Sequence, residues 1–364
     1  MALSCGIIGL PIVGKTTFFN LLTNAGIETS AFYSGKTTTN MAHALVPDSR
    51  LDYLTEMFKP KKTTFAQIKI IDVPGLVAGS SQGQGSGNEF LQSIANVDAL
   101  AHIVRAFKND EVVHVEDSID IMRDIDTINS ELLFADLQLI ETRLARINSG
   151  HKKKLEHPAE EQVLKKCQKH LENEQPLKSL EFTEEEQEAL NHITFLTTKP
   201  MLIIINLDEE QAAAANWPQK EEILSWCAEQ EIEVLPVCAK LEEEIQQLPA
   251  EERELFLSEL GLTESGISRM AQALYSQLGL ISFLTAGSDE VRAWPIKKGL
   301  PAKKAAGKIH SDIERGFIRA ETVAFEQLKA AGSISATRDQ GHFRLEGKDY
   351  IVADGDIIDF RFNI

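Results

Sequence analysis

"GLPIVGKT", Gly9 to Thr16, decides how the rest of the chain is read. It fits G-x-x-x-x-G-K-[ST], and its flanks give the match its weight. The apolar run "LSCGIIGL" before it reads as a buried strand, and the amphipathic "KTTFFNLLTNA" after it reads as a helix. A glycine loop between a strand and a helix is a phosphate cradle. Gly9 and Gly14 let the backbone curl so that its N–H groups point at phosphate oxygens. The helix N-terminus adds a favourable dipole. Lys15 supplies positive charge to β- and γ-phosphates, and the Thr16 hydroxyl can ligate Mg²⁺.

"IIDVPG", Ile70 to Gly75, reads as the partner of the cradle. Asp72 at a strand end can hold Mg²⁺ through water, and the Gly75 N–H can touch a γ-phosphate. The following "LVAGSSQGQGSGNEF" is rich in glycine and unlikely to hold one conformation alone. A floppy segment tethered to a γ-phosphate suits a hydrolysis-driven switch. Many such switches place a Gln after this Gly to orient the attacking water. Leu76 stands there and has no group to do so. His114, in the polar stretch "FKNDEVVHVED", is the alternative: a neutral imidazole can orient or accept from water.

The base pocket is read from "LIIINLDEE", Leu202 to Glu210. A buried strand running out into Asn-Lys-x-Asp is a guanine reader, with the Asp accepting two hydrogens from the base edge. This chain has Asn206, Leu207, Asp208 and Glu209 instead. The extra methylene of Glu209 pushes its carboxylate past the paired position. Leu207 offers apolar cover for a purine without a cation. Asp208 is acidic but one residue too early. Sites that depend on a hydrogen bond discriminate far more than apolar cover does. The expectation is relaxed rejection of GTP and a preference for ATP.

The remaining chain fits an α/β frame. "QIKIIDVPG", "DALAHIVRAF", "PMLIIINL" and "IEVLPVCA" are further strand-length apolar runs alternating with helical segments, which argues for a largely parallel sheet. Residues 118–198 read as a long helical interruption. Leu133, Leu137, Ile140, Leu144 and Ile147 in it step by four and three, a heptad seam that suggests an antiparallel coiled-coil arm. The expected division is a nucleotide-binding domain over 1–117 and 199–279, the arm over 118–198, and a small α+β domain over 280–364.

The net charge of −18 argues against generic nucleic-acid binding. Local clusters at Lys59/Lys61/Lys62, Lys152/Lys153/Lys154, Lys297/Lys298 and Lys303/Lys304 are the places left for a polyanion. Cys5, Cys167, Cys227 and Cys238 match no metal or redox spacing, so reduced thiols in a cytoplasmic protein are expected. No apolar run reaches membrane-spanning length, and the N-terminus lacks the features of a signal peptide.

Taken together these motifs resemble the YchF/Obg-like ATPase family of P-loop NTPases over nearly the whole chain. "GLPIVGKTT", "DVPGLVAGSSQGQGSGNEFL", "HIVRAFKNDEVVHVED" and "NLDE" carry the likeness. So do "EVRAWPIKKGLPAKKAAGKIHSDIERGFIRAE" and "EGKDYIVADGDIIDFRFNI", which look like its C-terminal TGS domain, a β-grasp fold. The resemblance implies a G-type α/β domain, an ATPase activity and association with ribosomes. By position it implies that Gly9 and Ile12, Val13, Gly14, Lys15, Thr16 and Thr17 wrap the phosphates. Asn206, Leu207 and Glu209 would sit at the base, and His114 would be catalytic beside Lys15 and Gly75. The metal set would be Thr16, Asp72 and a switch threonine. That threonine aligns with Lys36, so Thr37 in "AFYSGKTTTN" is the nearest hydroxyl. Ile12 replaces an Asn that in related G proteins helps bind potassium, and its aliphatic side chain argues against potassium activation. Three functions stay open: an ATP-hydrolysing switch on the translation machinery, a nucleotide-gated binding module without turnover, and a GTPase.

Overall fold

A computed structural model describes residues 3–27, 39–76, 86–109, 114–116, 118–148 and 157–363. Its strands are β1 (Ser4–Ile8), β2 (Asn40–Val46), β3 (Lys62–Thr64), β4 (Ala66–Asp72), β5 (Ala99–Arg105) and β6 (Met201–Asn206). They continue as β7 (Glu233–Val237), β8 (Leu280–Ala286), β9 (Glu290–Lys297), β10 (Phe317–Ala324), β11 (Arg344–Glu346) and β12 (Asp356–Phe362). The chain divides into two compact units. One comprises Met1–Ala42 and Lys69–Ile267, the other His43–Ile68 and Ser268–Ile364.

The first sheet has the order β2-β4-β1-β5-β6-β7. The pairs β1–β4, β1–β5, β5–β6 and β6–β7 are all parallel. β1 and β5 are buried along their whole length. Parallel strands covered on both faces must be continuously apolar, which is why these runs were legible. The register sets Ile8 beside His102, and Arg105 beside Asn206. The turns after β1, β5 and β6 therefore open at one end of the sheet, where open α/β sheets bind ligands.

The helical interruption contains the helices Ile121–Asn148 and Glu160–Glu172. Ile140 and Leu144 of the seam are buried, and Leu133, Leu137 and Ile147 pack against the same core. That core includes Val163, Leu164, Cys167 and Leu171 of the second helix. Buried Asp136 ties the first helix to the chain's return toward β6. Its carboxylate accepts from the Leu196 and Thr197 N–H groups, at 2.8 Å each, and from the Thr197 hydroxyl at 2.7 Å.

The second unit is a mixed sheet of order β11-β10-β12-β8-β9-β3. Phe283, Ile296, Ile358 and Phe360 of this sheet share a core with Ala302, Ala305 and Ala306 of the Ala302–Ile309 helix, the β-grasp arrangement. Its outermost strand, β3, comes from far earlier in the chain and pairs with β9 in parallel, Lys62 beside Glu290. The preceding helix, Ser49–Phe58, belongs to the same unit. Arg50 bridges Asp48 and Asp354, both at 2.8 Å, and the Tyr53 ring meets Phe325 edge-on at 5.6 Å.

Lys61 and Lys62 pair with Asp289 and Glu290, at 2.8 and 3.5 Å. Of the four basic clusters, the first is thus largely neutralised within its own unit. Lys304 pairs with Glu314, and Lys152 to Lys154 lie outside the described residues. All four cysteines are buried and unpaired. Among the described residues no helix is long and apolar enough to cross a membrane.

Candidate functional site

The loop after β1 is held in shape by conformations that most residues avoid. Gly9 has φ 144° and Gly14 has φ 103°. A Cβ on Gly9 would lie 2.4 Å from the Ile103 carbonyl, and one on Gly14 would lie 2.6 Å from Asn206 Nδ2. Both glycines are therefore required by close approach as well as by φ. Ile12 also has a positive φ, 61°, which is costly for a β-branched side chain.

Lys15 and Thr16 open the helix Lys15–Thr23, with Thr17 beside them. Lys15 is 8 % exposed, and its ammonium donates to the carbonyls of Gly9 (3.1 Å) and Leu10 (2.6 Å). Burial lowers its pKa to about 8, and the nearby Asp72 charge opposes that shift. The Thr16 hydroxyl donates to Asp72 Oδ2 at 3.1 Å. Burial raises the Asp72 pKa, against Lys15, Thr16 and Asn40, which lower it. A hydroxyl and a carboxylate held together at a strand end suit a hard cation such as Mg²⁺. A Cβ on Gly75 would come within 3.1 Å of Lys15 Nζ and of the Pro11 backbone. Leu76 turns into the core, 1 % exposed, and its N–H reaches the Gly9 carbonyl at 3.3 Å.

Asn206 fastens the end of β6 to this loop. Its amide donates to the Val13 carbonyl at 3.0 Å and accepts from the Ala239 N–H at 3.3 Å. Asp208 caps the helix Glu209–Ala214 in a reciprocal capping box with Gln211. Its carboxylate accepts from the Gln211 N–H at 2.8 Å, while Gln211 Oε1 accepts from the Asp208 N–H at 3.1 Å. Leu207 is only 4 % exposed and sits in a core cluster with Val104, Ile205 and Trp217. Sequence reading expected it along a purine face, but the structure encloses nearly all of its side chain. Glu209 is half-exposed, and its carboxylate meets Lys240 at 3.0 Å.

His114 is buried and is held by other partners. Its Nε2 lies 3.0 Å from Asp124 Oδ2, and its Nδ1 accepts from the Glu116 N–H at 3.1 Å. The neutral tautomer with the proton on Nε2 satisfies both. Asp124 also receives two bonds from Arg123, through Oδ1. Thr37 and Lys36 lie outside the described residues.

The structure thus gathers Gly9, Val13, Gly14, Lys15, Thr16, Asp72, Gly75 and Asn206 into one contact set. It gives His114 other partners. Sequence reading missed Ala239 and Lys240, although "VCAK" directly follows β7, the neighbour of β6. It also passed over His102 on β5, whose buried Nδ1 has no hydrogen-bond partner among the described residues. Burial and the Lys15 charge lower the His102 pKa to about 3, so it stays neutral.

Residues 4–138 match the family described as 50S ribosome-binding GTPase. Residues 280–363 match YchF-GTPase_C, described as a protein of unknown function. The chain is 46% identical over its whole length to the whole of the ribosome-binding ATPase YchF of Bacillus subtilis (strain 168). Identity to its counterpart in Escherichia coli O157:H7 is 42%, again over 100% of both chains. Among solved structures, the Schizosaccharomyces pombe YchF GTPase superposes with a TM-score of 0.84 at 32% identity, over 99% of this chain and 98% of that one. A GTP-binding protein from Pyrococcus horikoshii OT3 shares the fold, with a TM-score of 0.59 at 18% identity, over 99% of this chain and 100% of that one. Full-length identity of this order, carried by a chain with this cradle, places the protein in the YchF family.

Proposed function

We propose that this chain is a cytoplasmic, ribosome-associated P-loop NTPase that hydrolyses ATP to ADP and phosphate in preference to GTP. In this reading the protein is a nucleotide-dependent switch. The observation that carries the phosphate chemistry is the 3.1 Å contact of Thr16 with Asp72 beside the buried Lys15 ammonium. Full-length relatives named ribosome-binding ATPase support the substrate and the partner.

Bound Mg²⁺ would supply positive charge to the β- and γ-phosphate oxygens, held by Thr16 directly and by Asp72 through water. Thr37 is the proposed third hydroxyl. Lys15 would exchange its two carbonyl acceptors for phosphate oxygens. The N–H groups from Ile12 to Thr17 would cradle the phosphates, and Gly75 would approach the γ-phosphate through its backbone. Leu76 has no group to orient water, which leaves His114 for that role. The base would lie over Asn206 to Glu209, where Glu209 stands in place of the guanine-reading Asp. The arm (118–198) and the C-terminal domain (280–364) are the proposed partner surfaces.

Two measurements test this. ATP and GTP competing for the same site should show tighter ATP binding; a strong GTP preference would make the protein a GTPase. Single-turnover hydrolysis with and without ribosomes should show release of phosphate from ATP. A second reading, a nucleotide-gated binding module, is favoured by one observation: both ring nitrogens of His114 already have protein partners. Absence of turnover in both conditions would establish it.

A further inference from the structure

Three acidic or amide side chains close β6, and the structure assigns each a partner. Asn206 is bound to Val13 and Ala239, and Asp208 is committed to its capping box. Glu209 is the one carboxylate of the motif left to address a base. It is not alone, because Lys240 Nζ donates to Glu209 Oε2 at 3.0 Å. The contact follows from topology. β6 and β7 are parallel neighbours with Asn206 beside Val237. The turns that follow them, carrying Glu209 and Lys240, are therefore adjacent. Ala239, next to Lys240, donates to Asn206 across the same gap.

The chemistry of the pair bears on which purine is accepted. The Watson–Crick edge of guanine presents N–H donors at N1 and N2, and a carboxylate that accepts both is what reads it. A carboxylate already accepting from an ammonium is partly neutralised and shares its lone pairs. The ammonium has three donors and no acceptor. It opposes the guanine N–H groups, whereas the ring nitrogens of adenine can accept from it. A surface pair that merely joins two turns would leave base preference untouched.

We propose that Lys240 is a specificity-determining residue: it restrains the Glu209 carboxylate from reading guanine and so biases the site toward adenine nucleotides. This rests on the reading of Asn206 to Glu209 as the base pocket. Glu209 and Lys240 are 50% and 67% exposed, so the bias is a modest one, about threefold, in keeping with exposed ion pairs.

The test measures ATP and GTP dissociation constants on the full chain by displacement of a fluorescent ADP analogue. Wild type is set beside Lys240→Met, Lys240→Arg, Glu209→Gln and the Glu209→Gln/Lys240→Met double variant. Lys240→Met should reduce the ATP-over-GTP ratio about threefold, mainly by tightening GTP, while Lys240→Arg keeps the wild-type ratio. In the Glu209→Gln background the Met substitution should change nothing further. An unchanged ratio in Lys240→Met, or an equal shift in both backgrounds, overturns the assignment. Lys240→Gln serves in place of the Met variant if that protein does not fold. A wild-type preference for GTP would instead sink the underlying reading of the base pocket. Wild-type ATP preference with an inert Lys240 sinks only this inference.

Discussion

Asn206 Nδ2 donates to the Val13 carbonyl at 3.0 Å, joining two residues 193 positions apart. The bond fixes the end of β6 to the phosphate loop, so that loop and the proposed base pocket share one support. Both partners are buried, and the Gly14 position leaves no room for a Cβ beside the amide. Asn206→Ala strands a buried carbonyl, at a cost of about 1–3 kcal/mol. ATP and GTP affinities should both fall, about tenfold, with their ratio unchanged. Isothermal titration with each nucleotide checks this; a loss confined to one base would show that Asn206 reads the base directly.

Ile12 carries φ 61° in the phosphate loop. Left-handed backbone costs L-residues roughly 1–2 kcal/mol, and Asn adopts it far more readily than a β-branched residue. Ile12→Asn should stabilise the nucleotide-free protein by about 1 kcal/mol, raising the melting temperature by about 2 °C. Differential scanning calorimetry is the readout. A lower melting temperature would mean that packing of the half-buried isoleucine outweighs the strain.

Lys15 gives the binding reaction a pH dependence whose sign is fixed. Its pKa in the free protein is about 8, depressed by burial. Phosphate oxygens favour the charged form, so binding raises it. Below pH 8 the ammonium is already formed and affinity should be flat on this account. Above pH 8 the free protein loses the proton, binding must take one up, and affinity should fall by up to about tenfold per unit. Titration calorimetry in buffers of different ionisation enthalpy detects the uptake. Proton release above pH 8 would contradict the assignment.

For His114 the observed structural role and the proposed catalytic one are separable. As the partner of buried Asp124 it supports the fold, and His114→Ala should lower stability by about 1–3 kcal/mol. As an orienter of water it would contribute about a hundredfold or more to hydrolysis. Single-turnover rates measured beside thermal melts tell these apart. A destabilised variant with an unaltered rate makes His114 a scaffold residue only.

The phosphate loop, Asp72 and the buried strands could be read because each obeys a local rule. A loop motif needs only its flanks, and a doubly covered parallel strand is apolar throughout. The heptad seam was legible for the same reason, and its five positions share one core. Asp208 could have been read further: Asp208 and Gln211 stand at capping-box spacing, which explains why that acid does not face a base. β3 could not, since its pairing with β9 depends on residues far along the chain and its three residues carry little pattern. The Glu209–Lys240 contact depends on the order of β6 and β7 in the sheet, which no single motif encodes.

The placement of Lys61 against Asp289 spans 228 residues and sets an order of events during synthesis. At about 5–20 residues per second the early segment waits ten seconds or more for its partners to leave the ribosome. Throughout that interval the Ser49–Phe58 helix and β3 are made but uncovered. β4 differs, because its sheet neighbours β1 and β2 both precede it in the chain. A chain stopped after Gln277 would lack β8 to β12 and leave that segment permanently bare. A nascent copy therefore completes the second unit only when β8 and β9 have been made.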